Sequence, residues 1–240
     1  MEKKTYLIFG ISKGLGRAIT LQLPDQSDVV FGVSRSKPDY LEDNANVCWV
    51  PADLSNPVEA VNAIKDRIKN TKIDYFIYNV GIWENNAFSD DYDFASSPVA
   101  EISGLINTNV TSCILNIQSA LENLKQAENA KIILIGSTWG LDNHNGREVA
   151  FSATKFALRG VVHALREQLR PDQIAVSILN LGYLATAPDE ENNLETTTHE
   201  TNDDLIPLSD VIQALRFIIS TSKASCVKEI HMPAMNDRNV

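Results

Sequence analysis

The segment "TYLIFGISKGLGRAI", residues 5 to 19, joins an apolar run to a glycine-rich turn and then to the start of a helical pattern. Residues 5–9 alternate with no polar face, which suits a strand buried on both sides of a sheet. Gly10, Gly14 and Gly16 then fall at the strand-to-helix turn. Glycine there permits positive φ and close backbone approach, and the unpaired N–H groups at a helix start attract a diphosphate. Glycines also serve tight turns and close helix packing, but behind the first strand of an alternating chain they point to a dinucleotide site.

That alternation continues outward. "VVFGVS" (29–34), "NVCWVPA" (46–52), "IDYFIYN" (73–79), "AKIILIG" (130–136), "AVSILNL" (175–181) and "CVKEIHM" (226–232) read as strands separated by helix-length segments. Repeated βα units feed a parallel sheet covered by helices on both faces. The expectation is an α/β chain: a Rossmann-like doubly wound sandwich of about seven strands. With 240 residues, 44% of them hydrophobic, the chain suits a single domain spanning 1–240. Two segments, roughly 100–127 and 149–169, carry long apolar helical faces. In the second, Phe151, Ala157, Leu158, Val161, Val162, Leu165 and Leu169 recur at three- and four-residue steps. Ile114, Ile117, Leu121, Phe156 and Leu165 could face either the sheet or a second subunit.

Composition narrows the function. A net charge of -10 disfavours nucleic acid, because sequence-independent affinity for it comes from Lys and Arg neutralising phosphates. No run approaches the roughly 18 apolar residues of a membrane span, and "MEKKTYLIFG" passes from charges into a strand without a cleavage-site pattern. A cytoplasmic protein without a membrane partner is expected. Cys48, Cys113 and Cys226 lie far apart in apolar segments, reading as buried reduced thiols, and the four histidines show no metal-ligand spacing. No metal is expected. From Ala187 to Leu205 the chain is acidic and nearly free of apolar residues, which fits either a disordered surface insertion or a substrate lid; its place directly after a strand favours the lid.

The second strand ends in "FGVSRSK". A site selecting an unphosphorylated ribose would place Asp or Glu there, whereas Arg35 offers a planar fork suited to a 2'-phosphate. Lys13, inside the glycine turn, can approach the same phosphate, so NADP(H) is preferred over NAD(H). Asp53, at the end of the third strand, suits either the adenine amino group or a local cap, a role Ser55 also fits.

These motifs, with "ADL" at 52–54, "YNVG" at 78–81, "NTNV" at 107–110, "LIGS" at 134–137, "FSATK" at 151–155 and "NLGYLAT" at 180–186, occur in an order that resembles the short-chain dehydrogenase/reductase family over essentially the whole chain. The resemblance implies an oxidoreductase acting on a small molecule, and a homodimer or homotetramer formed through the two long helices. It places the dinucleotide against Gly10, Ser12, Lys13, Gly14, Leu15, Gly16, Arg35, Asp53, Leu54, Asn79, Gly81, Lys155, Gly182, Leu184 and Thr186. The family's catalytic Asn, Ser and Lys fall on Asn109, Ser137 and Lys155. Its tyrosine, which protonates the carbonyl oxygen, falls on Phe151. Smaller departures are Phe9, Tyr78, Val80 and Leu181.

Phenylalanine keeps the shape and loses the acid, and general acid catalysis is typically worth a hundred- to ten-thousand-fold, about 3 to 5 kcal/mol. A conjugated enone or dienone needs less, because hydride at its far carbon yields an enolate whose oxygen Ser137 can hold. In this respect the chain resembles the conjugate reductases of bacilysin-type pathways. Tyr183 and His144 are candidate substitute acids, His199 a weaker one, and Trp139 a pocket wall. The alternative functions are a catalytically silent NADP(H)-binding protein, or a Tyr→Phe variant of an ordinary reductase.

Overall fold

A computed structural model of the chain describes residues 2–142, 144–186 and 204–237. Seven strands, β1 (Thr5–Phe9), β2 (Val29–Ser34), β3 (Val47–Pro51), β4 (Tyr75–Tyr78), β5 (Lys131–Ile135), β6 (Ala175–Leu181) and β7 (Glu229–Met232), form one sheet. Their spatial order is β3-β2-β1-β4-β5-β6-β7 and every pairing is parallel. All seven expected strand runs are present. The order reverses between β1 and β4, the switch point at which such sheets open a crevice beyond their strand C-termini.

Helices cover both faces. α1 (Gly14–Gln22) and α6 (Leu208–Ser220) pack on one face through Leu15, Ile19, Val211, Leu215 and Ile218. On the other, α2 (Pro57–Ile68), α4 (Ser112–Leu124) and α5 (Val149–Gln168) bury Ile64, Ile68, Cys113, Ile117, Leu158 and Val162. Alternate residues of each strand feed the two cores: Leu7 and Phe9 one, Tyr6 and Ile8 the other. Both sides of the strands are therefore apolar, as their sequences require.

The expected long helix near 100–127 is divided. α3 (Val99–Ile106) passes through a π-helical segment, Asn107–Thr111, before α4 begins. The wider turn carries Asn109 at full burial, a placement typical of functional sites. Of the helix residues open to two readings, Ile117 is buried in the core with Leu121 and Leu165 packed against it, whereas Ile114 and Phe156 stay exposed.

The cysteine expectation needs correction. Only Cys113 is buried; Cys48 is half-buried against Arg67 Nε, and Cys226 is exposed because it precedes the edge strand β7. All three are free thiols. Among the described residues no group of His, Cys, Asp or Glu could hold a metal ion, and no helix is long and apolar enough to cross a membrane. The expected lid at 187–205 lies outside the described residues except for Asp204 and Leu205. Its two ends are drawn together, since Leu184 bridges Ile206 and the Ile206 N–H donates to Tyr183 O.

Candidate active site

The glycine turn is built to let backbone approach backbone. Gly10 has φ +78° and Gly14 φ +51°, in the left-handed region that side chains disfavour. A Cβ on Gly16 would stand 1.8 Å from Gly10 O, and one on Gly10 would stand 2.1 Å from Asn79 O, so the turns after β1 and β4 touch at the switch point. The N-terminus of α1 has no side-chain cap and no acidic residue in its first turn. Its first N–H groups are thus left for an anion. Thr186, beyond β6, lies over this turn, its methyl 3.2 Å from where a Gly14 Cβ would be. The cradle fits a dinucleotide diphosphate.

Lys13 and Arg35 are exposed beyond the ends of β1 and β2, as is Ser12, while Leu15 is buried on the α1 face of the sheet and Leu54 on the opposite face. Tyr40 closes this end: its hydroxyl donates to Ile11 O, and the Arg17 guanidinium lies 5.5 Å from its ring centre. Asp53 forms the local turn of its alternative reading, one oxygen accepting from both Ser55 N and Ser55 Oγ.

At the centre of the crevice stands Lys155, on α5 and only 4% exposed. Its Nζ donates to Ile135 O at 3.2 Å and lies 3.0 Å from where a Gly81 Cβ would be, so glycine at 81 leaves room for the amine. Burial pulls the Lys155 ammonium down to about pKa 8. The same Nζ is 5.4 Å from the Phe151 ring centre. Ser137 caps the short turn Thr138–Gly140 by accepting from Trp139 N, and its own proton has no acceptor among the described residues. Lys155, Phe151, Gly81 and Ser137 therefore converge at the C-terminal ends of β4 and β5.

Asn109 is fixed through its side-chain amide. Its Oδ1 accepts from Ile82 N at 2.9 Å, and its Nδ2 donates to Ile82 O and Thr154 Oγ1. With both ends of the amide engaged and no exposure, it is a positioning residue that clamps the segment after β4 to α5. His144 is also occupied. Its Nδ1 accepts from Gly146 N, which assigns the proton to Nε2, facing Ser152 Oγ at 3.0 Å, and Ser152 in turn donates to Trp139 O. That chain ties a loop to α5 and ends on Trp139 O, in the turn that Ser137 caps. Tyr183 packs its ring on Trp139 and Phe88, and its hydroxyl has no partner among the described residues. Burial and the Glu148 and Asp237 carboxylates raise its pKa, which makes it a weaker acid than an ordinary phenol. His199 lies outside the described residues.

Three residues here escaped sequence reasoning. Glu84, 1% exposed, accepts from the first-turn N–H groups of Ala150 and Phe151 and from the Tyr92 hydroxyl. It caps α5 from a distant loop, satisfying donors that its own N-cap residue leaves open. Glu148, that N-cap residue, accepts instead from Phe88 N and from Trp139 Nε1. Phe88 sits at φ +64° with its ring against Trp83, Trp139, Phe151 and Tyr183. Each partner is 51 or more positions away except Trp83, so no local pattern could reveal the cluster.

Comparison with known proteins agrees with this fold. A family model described as short chain dehydrogenase matches residues 4–197. A 3-ketodihydrosphingosine reductase of Bacteroides thetaiotaomicron is 28% identical over 206 residues, 85% of this chain and 72% of the relative. The 3-oxoacyl-[acyl-carrier-protein] reductase of Escherichia coli is 26% identical over 192 residues, 77% of this chain and 75% of the relative. A metagenomic short-chain oxidoreductase solved in complex with NADP superposes with TM-score 0.76 at 20% identity, covering 97% of this chain and 98% of the other.

Proposed function

The chain belongs to the short-chain dehydrogenase family, and from that premise we propose that this oxidoreductase is an NADPH-dependent reductase of a small conjugated carbonyl compound. The observation that carries the reading is the Lys155 amine, buried against a phenyl ring at 151 where a hydroxyl would otherwise mediate proton transfer. Relatives named as reductases of 3-keto and 3-oxoacyl compounds support the reductive direction, and an NADP-bound structural neighbour supports the cofactor.

Gly10, Gly14, Gly16 and the α1 N-terminus would hold the diphosphate, Lys13 and Arg35 the 2'-phosphate, and Lys155 the nicotinamide ribose. When bound, the reduced nicotinamide supplies a hydride. The protein's part is to hold the acceptor and manage one proton. Ser137 donates its free hydroxyl hydrogen to the substrate oxygen, stabilising the enolate that forms when the far carbon of a conjugated system is reduced. Lys155 is the acid best matched to neutral pH: one of its three N–H groups is spent on Ile135 O, and it loses a proton near pH 8. It passes that proton to the enolate through water, and bulk solvent restores it. Tyr183, made less acidic by its surroundings, serves as a wall. Ile106, Ile114 and Phe156, exposed on α3, α4 and α5, are apolar side chains that a homodimer would cover.

The test is NADPH consumption with matched panels of enones and simple ketones. Turnover of enones well above ketones supports the proposal. Tight NADPH binding without turnover on any acceptor, unchanged in Phe151→Tyr, would instead favour a silent NADP(H)-binding protein.

A further inference from the structure

Three polar side chains of α5, Ser152, Lys155 and Arg159, recur at three- and four-residue spacing and so share one helix face. That face meets the turn Thr138–Gly140. A Cβ on Gly140 would stand 2.9 Å from Lys155 O, so the turn rests on the helix backbone at the residue whose amine enters the site. Two carbonyls of the turn are held from the helix: Ser152 Oγ donates to Trp139 O at 2.9 Å, and Arg159 Nη1 to Gly140 O at 3.0 Å. Within the turn, Gly140 N donates to Ser137 O at 2.9 Å and Trp139 N to Ser137 Oγ at 3.2 Å. Whatever holds this turn therefore also aims the Ser137 hydroxyl.

Arg159 is itself anchored outside the site. Its Nε, shielded from solvent, lies 3.4 Å from Glu229 Oε2 on β7. The same carboxylate gathers His163 Nε2 at 2.7 Å, His231 Nε2 at 3.1 Å and Arg166 Nη1 at 3.8 Å. Arg166 is committed to the strands, its Nε donating to Val176 O and its Nη2 to Lys228 O. Among these groups, Arg159 is the one that joins the carboxylate to the turn. Its planar fork suits the task, since one nitrogen can meet a carboxylate while another meets a carbonyl. Against the cost of burial, the two histidines and two arginines bring the Glu229 carboxyl down to about pKa 2, so the anchor is charged at neutral pH.

We propose that Arg159 is a positioning residue for the reaction: a strut anchored on Glu229 that holds the turn Thr138–Gly140 and so aims the Ser137 hydroxyl at the substrate oxygen. The task of Ser137 rests on the reductase reading above; the strut does not.

The test compares wild type with Arg159→Ala, which removes both contacts, and Glu229→Gln, which keeps the shape of the anchor and removes its charge. Amide hydrogen exchange of the NADP+-loaded proteins is expected to show Gly140 and Leu141 opening about tenfold faster in Arg159→Ala, and less so in Glu229→Gln, with residues 132–134 of β5 unchanged. With NADPH and cyclohexenone, kcat should fall about tenfold in Arg159→Ala while KM and the NADPH Kd stay within about twofold, because a misplaced hydroxyl weakens the transition state more than binding. Unchanged exchange in the turn, or a Glu229→Gln protein indistinguishable from wild type, would overturn the strut. An unchanged kcat, or one that falls in step with NADPH affinity, would overturn its part in the reaction. Absence of cyclohexenone turnover in wild type defeats the reductase reading instead, and the exchange rates then decide the strut alone.

Discussion

Restoring a hydroxyl at position 151 isolates the chemistry that this site lacks. Phe151 is 6% exposed, so the hydroxyl added by Phe151→Tyr must find partners inside the protein or destabilise it. Partners are at hand: among the described residues Lys155 Nζ, 5.4 Å from the ring centre, makes a single hydrogen bond, and the Ser137 hydroxyl hydrogen has no acceptor. A neighbouring ammonium also favours the phenolate and so strengthens the acid. General acid catalysis of this kind is worth about a hundredfold to ten-thousandfold, or about 3 to 5 kcal/mol. The full gain should appear only where charge collects on one oxygen. Single-turnover consumption of NADPH is therefore expected to rise by about a hundredfold or more with cyclohexanone, and by less than about tenfold with cyclohexenone, whose enolate spreads its charge. Equal gains for both acceptors, or no gain for cyclohexanone in a variant that still binds NADPH, would refute the reasoning.

Other consequences can be measured alongside. Arg35→Ala and Lys13→Ala should each weaken NADPH by about tenfold while leaving NADH nearly unchanged, because only the former carries the 2'-phosphate that charge-assisted hydrogen bonds would grip; isothermal titration with both nucleotides decides. Glu84→Ala strips the acceptor from the Ala150 and Phe151 N–H groups, so urea unfolding should show a loss of about 1 to 2 kcal/mol, and Glu84→Gln, which keeps one acceptor, should lose less. Lys155 titrates near 8 in the fold against an ordinary 10.5. Between those values the unfolded chain binds the extra proton, so its burial penalty is complete below about pH 8 and is relieved as pH rises towards 10.5. The reduction rate moves the opposite way, falling above about pH 8 as the proton donor is lost, and a pH–rate profile flat to pH 10 would remove Lys155 from that role.

The fold was legible because its signals are local. Apolar runs such as "AKIILIG" suit strands covered on both faces, and Gly10, Gly14 and Gly16 behind the first strand of an alternating chain point to a dinucleotide turn. Lys155 and Ser137 were found from their motif, and their convergence follows from α5 packing against the end of β5, where Lys155 Nζ donates to Ile135 O, and against the turn that Ser137 caps. What stayed hidden depends on contacts across the chain. Glu84 is an ordinary loop acid until β4 delivers it to the start of α5, where four unpaired N–H groups need acceptors. Asn109 was found from its motif, but the π-helical turn at Asn107–Thr111 that directs its amide to the backbone at Ile82 leaves no local sequence signal. Phe88 carries no sequence signal, since phenylalanine is not expected at φ +64° and its ring partners come from four separate elements. Cys226 reads as apolar from its neighbours, but it precedes a short edge strand and remains exposed.

The central claim is that hydride goes to the far carbon of a conjugated carbonyl, where a phenyl ring at 151 suffices. Reduction of cyclohexenone with NADPH carrying deuterium at the transferred position, followed by mass and NMR analysis of the product, tests it most directly. The expected product is cyclohexanone with one deuterium on the carbon β to the carbonyl. Deuterium on the carbonyl carbon of an allylic alcohol, or nucleotide bound tightly with no label in any product, would contradict it.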